Sequence, residues 1–464
     1  MTMELHELAL AEAAQSIRTK QVSPLELTEA VLARLDEVEP TVSAFATVTA
    51  DLAVTTAKTL TDEIALGTYR GPLHGVPVGV KDLYDTAGIP TMAGSEVLSD
   101  RVPTTDSAVT AKLSKLGAVM IGKTHTHEFA YGSLTPASRN PWNPEHTAGG
   151  SSGGSGAALA SGTIMVGLGT DTGGSIRTPA SVCGVVGLKP TYGRVSRRGI
   201  FPLSWSLDHA GPLTRTVEDA AIVLSHIAGH DPEDPASADV AVPDYTASLK
   251  GDLTGLTIGV PVNYFTEHVD PEVVSITETA IAAMVSAGAH VRPLTIPLAS
   301  ALEPTEMSLL APEASAVHQY LLRERADRYG EEVHTLLEAG ELVPATDYIR
   351  ALRARTRIQH EIRDMFADID VLIAPSLPTP AVRLDDPVIR WPDGSVESAT
   401  AAYVRFAALG NVTGLPALSV PAGFTRAGLP VGIQIIGRPF EEGTILNVGY
   451  SYEALTSWSR LAPL

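Results

Sequence analysis

Apolar positions lay out the elements of this chain before any other property does. From Leu25 to Glu39 apolar residues recur at helical spacing. Just before them, Ser23-Pro24-Leu25-Glu26 forms a capping box with proline at the first helical position. The first 66 residues read as helical on this basis. The period changes near residue 74. Val76 to Val80 is a short β-branched run that ends at Lys81-Asp82. Residues 106–124 read as a helix, a glycine stop at Gly117, then a buried strand from Ala118 to Ile121. Further strands are predicted at 256–261, 290–294, 370–376, 417–423 and 430–437. Further helices are predicted at 271–287, across 305–367 with a break near Gly340–Pro344, and at 445–458.

This alternation is that of an α/β fold. A length of 464 residues carries a prior of about three domains. Strands at both ends, no internal repeat and no low-complexity linker point instead to one large domain over 1–464. Its expected parts are a helical start over 1–66, a catalytic core over 67–235, a helical cap or insertion over about 305–367, and closing strands and helix over 370–464.

Composition narrows the function. Hydrophobic residues make up 44% and charged residues 19%, enough apolar mass for a large core. The net charge of −20 argues against direct binding to nucleic acid or to an anionic membrane, since lysine and arginine drive phosphate binding. One cysteine, Cys183, allows no internal disulfide, so nothing suggests an oxidising compartment. The N-terminal residues lack the basic start of a secretory signal. No apolar run reaches the roughly 18 residues of a spanning helix. A cytoplasmic protein is expected. Only eight residues are lysine, none beyond Lys250, and Lys81 alone follows an apolar run that would carry it into a core.

The densest chemical signal is Gly149 to Ser175, with glycine clusters at 149–156 and 173–174, each beside serine. Such loops bring backbone N–H groups close to a small anion, and serine at a glycine turn can be exposed as a nucleophile. A phosphate-binding loop needs Gly-Lys-Ser/Thr, and no lysine lies in 124–188. A nucleophile elbow at Gly149–Gly153 needs a strand before it, whereas Asn-Pro-Trp-Asn-Pro-Glu-His-Thr-Ala precedes it and reads as no strand. A flexible Gly/Ser linker fails because 157–169 is apolar. The remaining reading pairs the serines with Lys81, a base once burial lowers its pKa.

At these residues the sequence resembles the amidase signature family of serine hydrolases. Gly75-Val-Pro-Val-Gly-Val-Lys-Asp-Leu-Tyr-Asp-Thr-Ala-Gly-Ile-Pro-Thr91 is similar to its lysine segment. Residues 149–162 and 167–199 are similar to its signature, and the likeness is strong over 65–235 and looser over 370–437. The resemblance implies a central mixed sheet flanked by helices. It implies Ser175 as nucleophile, Ser151 as bridging serine after a cis peptide at Gly150–Ser151, and Lys81 as base. It also implies an oxyanion hole from the N–H groups of Thr172, Gly173, Gly174 and Ser175. Phe129 and Tyr131 match a loop that lines the acyl pocket in relatives.

Neighbouring residues carry blander readings. Asp171 and Arg177 flank the nucleophile loop, and bracing it is the favoured role, with substrate binding by Asp171 as the other. Ser152 and Ser155 read as structural. Cys183, in a predicted helix Ala-Ser-Val-Cys-Gly-Val-Val, reads as a small core residue. His125, His127 and Glu128 invite a metal site, but no further ligand cluster accompanies them and the family needs no metal or cofactor. The expected activity is hydrolysis of a linear C–N bond in a small amide, aryl amide, ester or carbamate, through an acyl-enzyme. The alternative is the glutaminase subunit of a tRNA-dependent amidotransferase. Phe201-Pro-Leu-Ser-Trp-Ser-Leu-Asp-His-Ala-Gly211 resembles stand-alone amidases better than that subunit. No direct contact with nucleic acid or membrane is expected, and a homodimer is left open.

Overall fold

Eleven strands form one mixed sheet. In the computed structural model, which describes residues 4–458 and 460–464, they are β1 (Phe45–Val48), β2 (Pro77–Lys81), β3 (Val119–Thr124), β4 (Val166–Asp171), β5 (Val186–Lys189), β6 (His209–Thr214), β7 (Thr257–Pro261), β8 (His290–Leu294), β9 (Val371–Pro375), β10 (Ala417–Phe424) and β11 (Pro430–Ile436). Their spatial order is β1-β3-β2-β4-β6-β5-β10-β11-β9-β7-β8. β3, β2 and β4 run parallel, as do β9, β7 and β8, while the strands between pair antiparallel. Strands from both ends of the chain therefore share one sheet in a single large α/β domain.

The pleat explains the layers. Val119 and Ile121 join an apolar cluster with Val31, Leu60, Ala157 and Val182. Met120 between them packs instead against a second apolar cluster, the one that includes Val78, Leu113, Leu224 and Met284. Alternate residues face opposite sides, so helices cover both faces.

Several expectations need correction. The 1–66 segment is not all helix, because Phe45-Ala-Thr-Val48 forms edge strand β1, paired antiparallel with β3; Met1 to Met3 lie outside the described residues. The segment before Gly149 does hold a strand, Asn143–Thr147, paired with Arg139–Asn140. That hairpin lies outside the main sheet, so it does not build a nucleophile elbow. The 305–367 region is three helices, Leu302–Arg325, Glu331–Glu341 and Ala345–Met365, with a break near 326–330 besides the expected one. The closing helix runs Glu442–Ala454. Strands β4, β5 and β6 are short, each interrupted by glycine, and show too little alternation to be read from sequence. No helix among the described residues is long and apolar enough to cross a membrane.

Candidate active site

Sheet geometry assembles the site. β2 and β4 are parallel neighbours, so their C-terminal ends lie side by side. Lys81 ends β2 and Thr170 stands near the end of β4. Lys81 Nζ is 2.7 Å from Thr170 Oγ1 and 2.8 Å from Ser151 Oγ. The side chain is wholly buried, and no carboxylate among the described residues touches it. Burial holds its pKa well below the usual lysine range, while the charges of Asp171 and Asp208 oppose this. A neutral amine fits both contacts. Lys81 Nζ donates to the hydroxyls of both Ser151 and Thr170. Sequence reasoning missed Thr170, because its placement depends on strand register.

Ser151 follows a cis peptide at Gly150–Ser151. Its carbonyl accepts from the His127 N–H at 3.0 Å and the Thr135 hydroxyl at 3.1 Å, which fixes the turn. Glycine at 150 is required by crowding: a Cβ there would stand 2.6 Å from the Leu134 nitrogen. The Ser152 N–H donates to the Ser175 carbonyl at 3.3 Å, tying the two loops together. Ser175 faces a cavity of about 210 Å³. Among the described residues its hydroxyl has no hydrogen bond, so the Lys81–Ser151 contact is formed while Ser175 stands free beside it.

The nucleophile loop is held from behind. The Asp171 carboxylate accepts from Arg177 Nε and Nη2 at 3.1 and 3.0 Å, from Asn411 Nδ2 at 2.8 Å, and from the N–H groups of Gly174 and Ile176 at 3.0 and 3.2 Å. Arg177 also reaches Gln434 and Asn411. The guanidinium keeps the Asp171 carboxyl well below the usual carboxylate range against the opposing effect of its burial. Two expectations change here. Asp171 is fully engaged and off the cavity wall, so it braces the loop and does not offer itself to substrate. Gly174 has its N–H committed to Asp171, which leaves those of Thr172, Gly173 and Ser175 as the free amides beside the cavity. Thr172 is steadied by its hydroxyl, which donates to Asp208 at 2.6 Å.

Tyr131 lines the cavity with its hydroxyl buried and unpartnered among the described residues. Phe129 does not, because its ring packs against Phe201, His318 and Tyr329 in an aromatic core. Ser152 and Ser155 brace β4, donating to the Thr170 and Leu168 carbonyls. Cys183 is buried at the end of helix Arg177–Cys183, with its thiol pushed up by burial. His125 and His127 follow β3. Burial pushes His127 down to about 4, and Glu128 accepts from the Ser95 hydroxyl and the Gly330 N–H. Lys81 is not the single buried lysine. Lys123 and Lys189 are equally enclosed, but Lys123 donates to the Tyr84 carbonyl beside Asp82, and Lys189 to the Pro190 carbonyl.

Known proteins resemble this chain along nearly its whole length. The amidase family model matches residues 26–446. The chain is 48% identical over 460 residues to an amidase of Pseudomonas putida, covering 99% of this chain and 98% of that one. It is 40% identical over 492 residues to a glutamyl-tRNA(Gln) amidotransferase subunit of Carboxydothermus hydrogenoformans, covering 99% and 100%. The peptide amidase of Stenotrophomonas maltophilia superposes with a TM-score of 0.86 at 32% identity, covering 99% and 98%. The chain belongs to the amidase signature family and is a hydrolase acting on amide C–N bonds.

Proposed function

We propose that this protein is a stand-alone serine amidohydrolase working through Lys81, Ser151 and Ser175. The observation that carries the reading is the wholly buried Lys81 amine, 2.8 Å from the Ser151 hydroxyl and touched by no carboxylate among the described residues. Such an amine is neutral and basic, as a serine relay requires.

Lys81 takes a proton from Ser151 as Ser151 takes one from Ser175. The Ser175 oxygen attacks the carbonyl carbon. The free N–H groups of Thr172, Gly173 and Ser175 receive the developing oxyanion, and one such donor contributes about 3 kcal/mol of barrier lowering. The proton returns through Ser151 to the leaving nitrogen, which departs as an amine. Water then attacks the acyl-enzyme, giving its proton to Ser151 and Lys81, and Ser175 is regenerated. The cavity beside Ser175 takes the acyl group. A second cavity of about 220 Å³ shares Ala130, Thr172 and Leu203 with it and receives the leaving group.

The glutaminase reading draws on the 40% identity to the amidotransferase relative. Against it stands the acyl cavity, which among the described residues is lined by no lysine or arginine to meet the α-carboxylate of glutamine. The net charge of −20 points the same way. The test is a panel of amides, esters and carbamates on the purified chain and on Ser175→Ala. Turnover and a sulfonyl fluoride adduct on Ser175 are expected in the wild type and absent from the variant. An unimpaired variant, or an adduct on Ser152 or Cys183, refutes the mechanism. Activity only with partner subunits and misacylated tRNA favours the second reading.

A further inference from the structure

One buried acid beside the acyl cavity has no role in the serine relay. Glu306 lies on helix Leu302–Arg325, near Glu303, Met307 and Leu310, which line the cavity. Its side chain is wholly buried, and neither carboxyl oxygen has a hydrogen-bond partner among the described residues. Buried polar groups in folded proteins are nearly always hydrogen-bonded, so an orphaned carboxyl needs a reason.

Its position supplies one. A Cβ on Gly173 would stand 3.2 Å from Glu306 Oε1 and 3.5 Å from Val404 Cγ1. Gly173 and Val404 both line the cavity. Glu306 therefore stands behind Gly173 and Val404, just off the cavity wall, where a side chain at 173 would come between the carboxyl and the acyl cavity. The charged groups around Glu306 are Arg177, Asp171 and Glu303. Arg177 is committed to Asp171, Gln434 and Asn411 and makes no bond to Glu306. Glu303 and Tyr131 are the ionisable groups on the cavity wall itself, and among the described residues no cation joins them there.

We propose that Glu306 is a recognition group of the acyl cavity that takes an amine or ammonium carried by the substrate's acyl part, so that aminoacyl amides are preferred to alkyl amides of the same shape. This rests on the reading of Ser175 as nucleophile and of the cavity beside it as the acyl side. Burial pushes the Glu306 carboxyl well above the usual carboxylate range, while Arg177 opposes this. A substrate ammonium brings both the counter-charge and the hydrogen-bond donors that the carboxyl lacks. Glu303 adds charge of the same sign at the wall, and the unpartnered Tyr131 hydroxyl supplies a donor for a substrate oxygen. An acyl group bearing a carboxylate meets two acids and no cation.

Alaninamide and isobutyramide make the test, since they differ by an amine in place of a methyl group. At neutral pH the wild type is expected to favour alaninamide in kcat/KM by about tenfold or more, because a site built to bond a polar group discriminates against the analogue lacking it. In Glu306→Gln the preference narrows, and in Glu306→Leu it is lost, with the change falling on KM for alaninamide. Succinamate, with its carboxylate, is the poorest substrate of the wild type. A wild-type ratio near one overturns the inference without any variant having to fold. An equal fall on both amides in both variants also overturns it, as that marks a merely structural acid. Hydrolysis of both amides without discrimination leaves the serine mechanism standing, whereas no hydrolysis and no label on Ser175 brings down both.

Discussion

Arg177 grips Asp171 at two points, Nε to Oδ2 at 3.1 Å and Nη2 to Oδ1 at 3.0 Å, and Asp171 in turn holds the Gly174 and Ile176 N–H groups. The ion pair thus sets the curve of the loop that presents Ser175. Arg177→Met leaves a wholly buried carboxylate without its counter-charge, a change that costs about 3–5 kcal/mol. Thermal unfolding should show a large fall in Tm at neutral pH. The folded Asp171 pKa lies below its unfolded value, so its contribution is present above the unfolded pKa and is lost as pH falls through the folded one. The gap between wild type and variant should therefore persist at neutral pH and shrink only in strong acid. A gap that closes near neutrality contradicts this account.

Asp208 tunes Lys81 from a distance. Its charge raises the Lys81 pKa, in opposition to burial. The proposed relay needs the neutral amine, so kcat/KM is expected to rise with pH through that pKa. Asp208→Asn removes the charge, lowers the Lys81 pKa further and moves the acid limb of the profile to lower pH. Absolute rates will also drop, because Asp208 accepts from the Thr172 hydroxyl and the Leu203 and Ser204 N–H groups. The limb position is independent of that drop. A limb that stays put or moves to higher pH rules out Lys81 as the titrating base.

Gly174 is a conformational requirement of the nucleophile loop. Its φ of +101° lies where side chains are strained, and a Cβ would stand 2.8 Å from the Ala407 Cβ. Gly174→Ala must shift the loop next to Ser175, and a displacement of about 1 Å is enough to lower kcat by roughly a hundredfold. Steady-state kinetics beside a melting curve will separate lost geometry from lost folding. Near-normal kcat in a folded variant would show that the loop tolerates the shift.

The chemistry of this site is legible where it lies in one stretch of chain. Lys81, Ser151 and Ser175 stand in segments whose glycines and serines are local signals. The relationships that complete the site depend on distant partners. Thr170 meets Lys81 only through the β2–β4 register, and Arg177 is anchored by Asn411 and Gln434, more than two hundred residues further on. The same holds for the fold. Strands with β-branched or alternating runs are readable, whereas β4 carries two glycines and β6 a Gly-Pro pair, and both gain their pairing from neighbours on both sides. Phe129 reads as a pocket residue beside Tyr131, yet its left-handed backbone, φ 49°, accompanies a ring turned into the core. Glu306 carries no local signal, since a glutamate in a helix ordinarily faces solvent.

Cys183 offers a direct readout of how firmly these parts are held. It is the single thiol of the chain, is buried, and donates to the Ala148 carbonyl at 3.3 Å. Burial pushes its pKa up, so the reactive thiolate is scarce at neutral pH. Its helix, Arg177–Cys183, packs closely on the cis-peptide turn: a Cβ on Gly149 would stand 2.9 Å from the Pro179 Cα. A thiol reagent can reach Cys183 only when this packing opens, and that opening also releases Ser151 and Ser175. Labelling of the native protein should be slow, should run at the same rate as loss of activity on warming, and should speed up in Arg177→Met. Fast labelling with activity intact would show that the helix opens without disturbing the catalytic loops, and would separate two elements that the ion pair at Asp171 is here held to join.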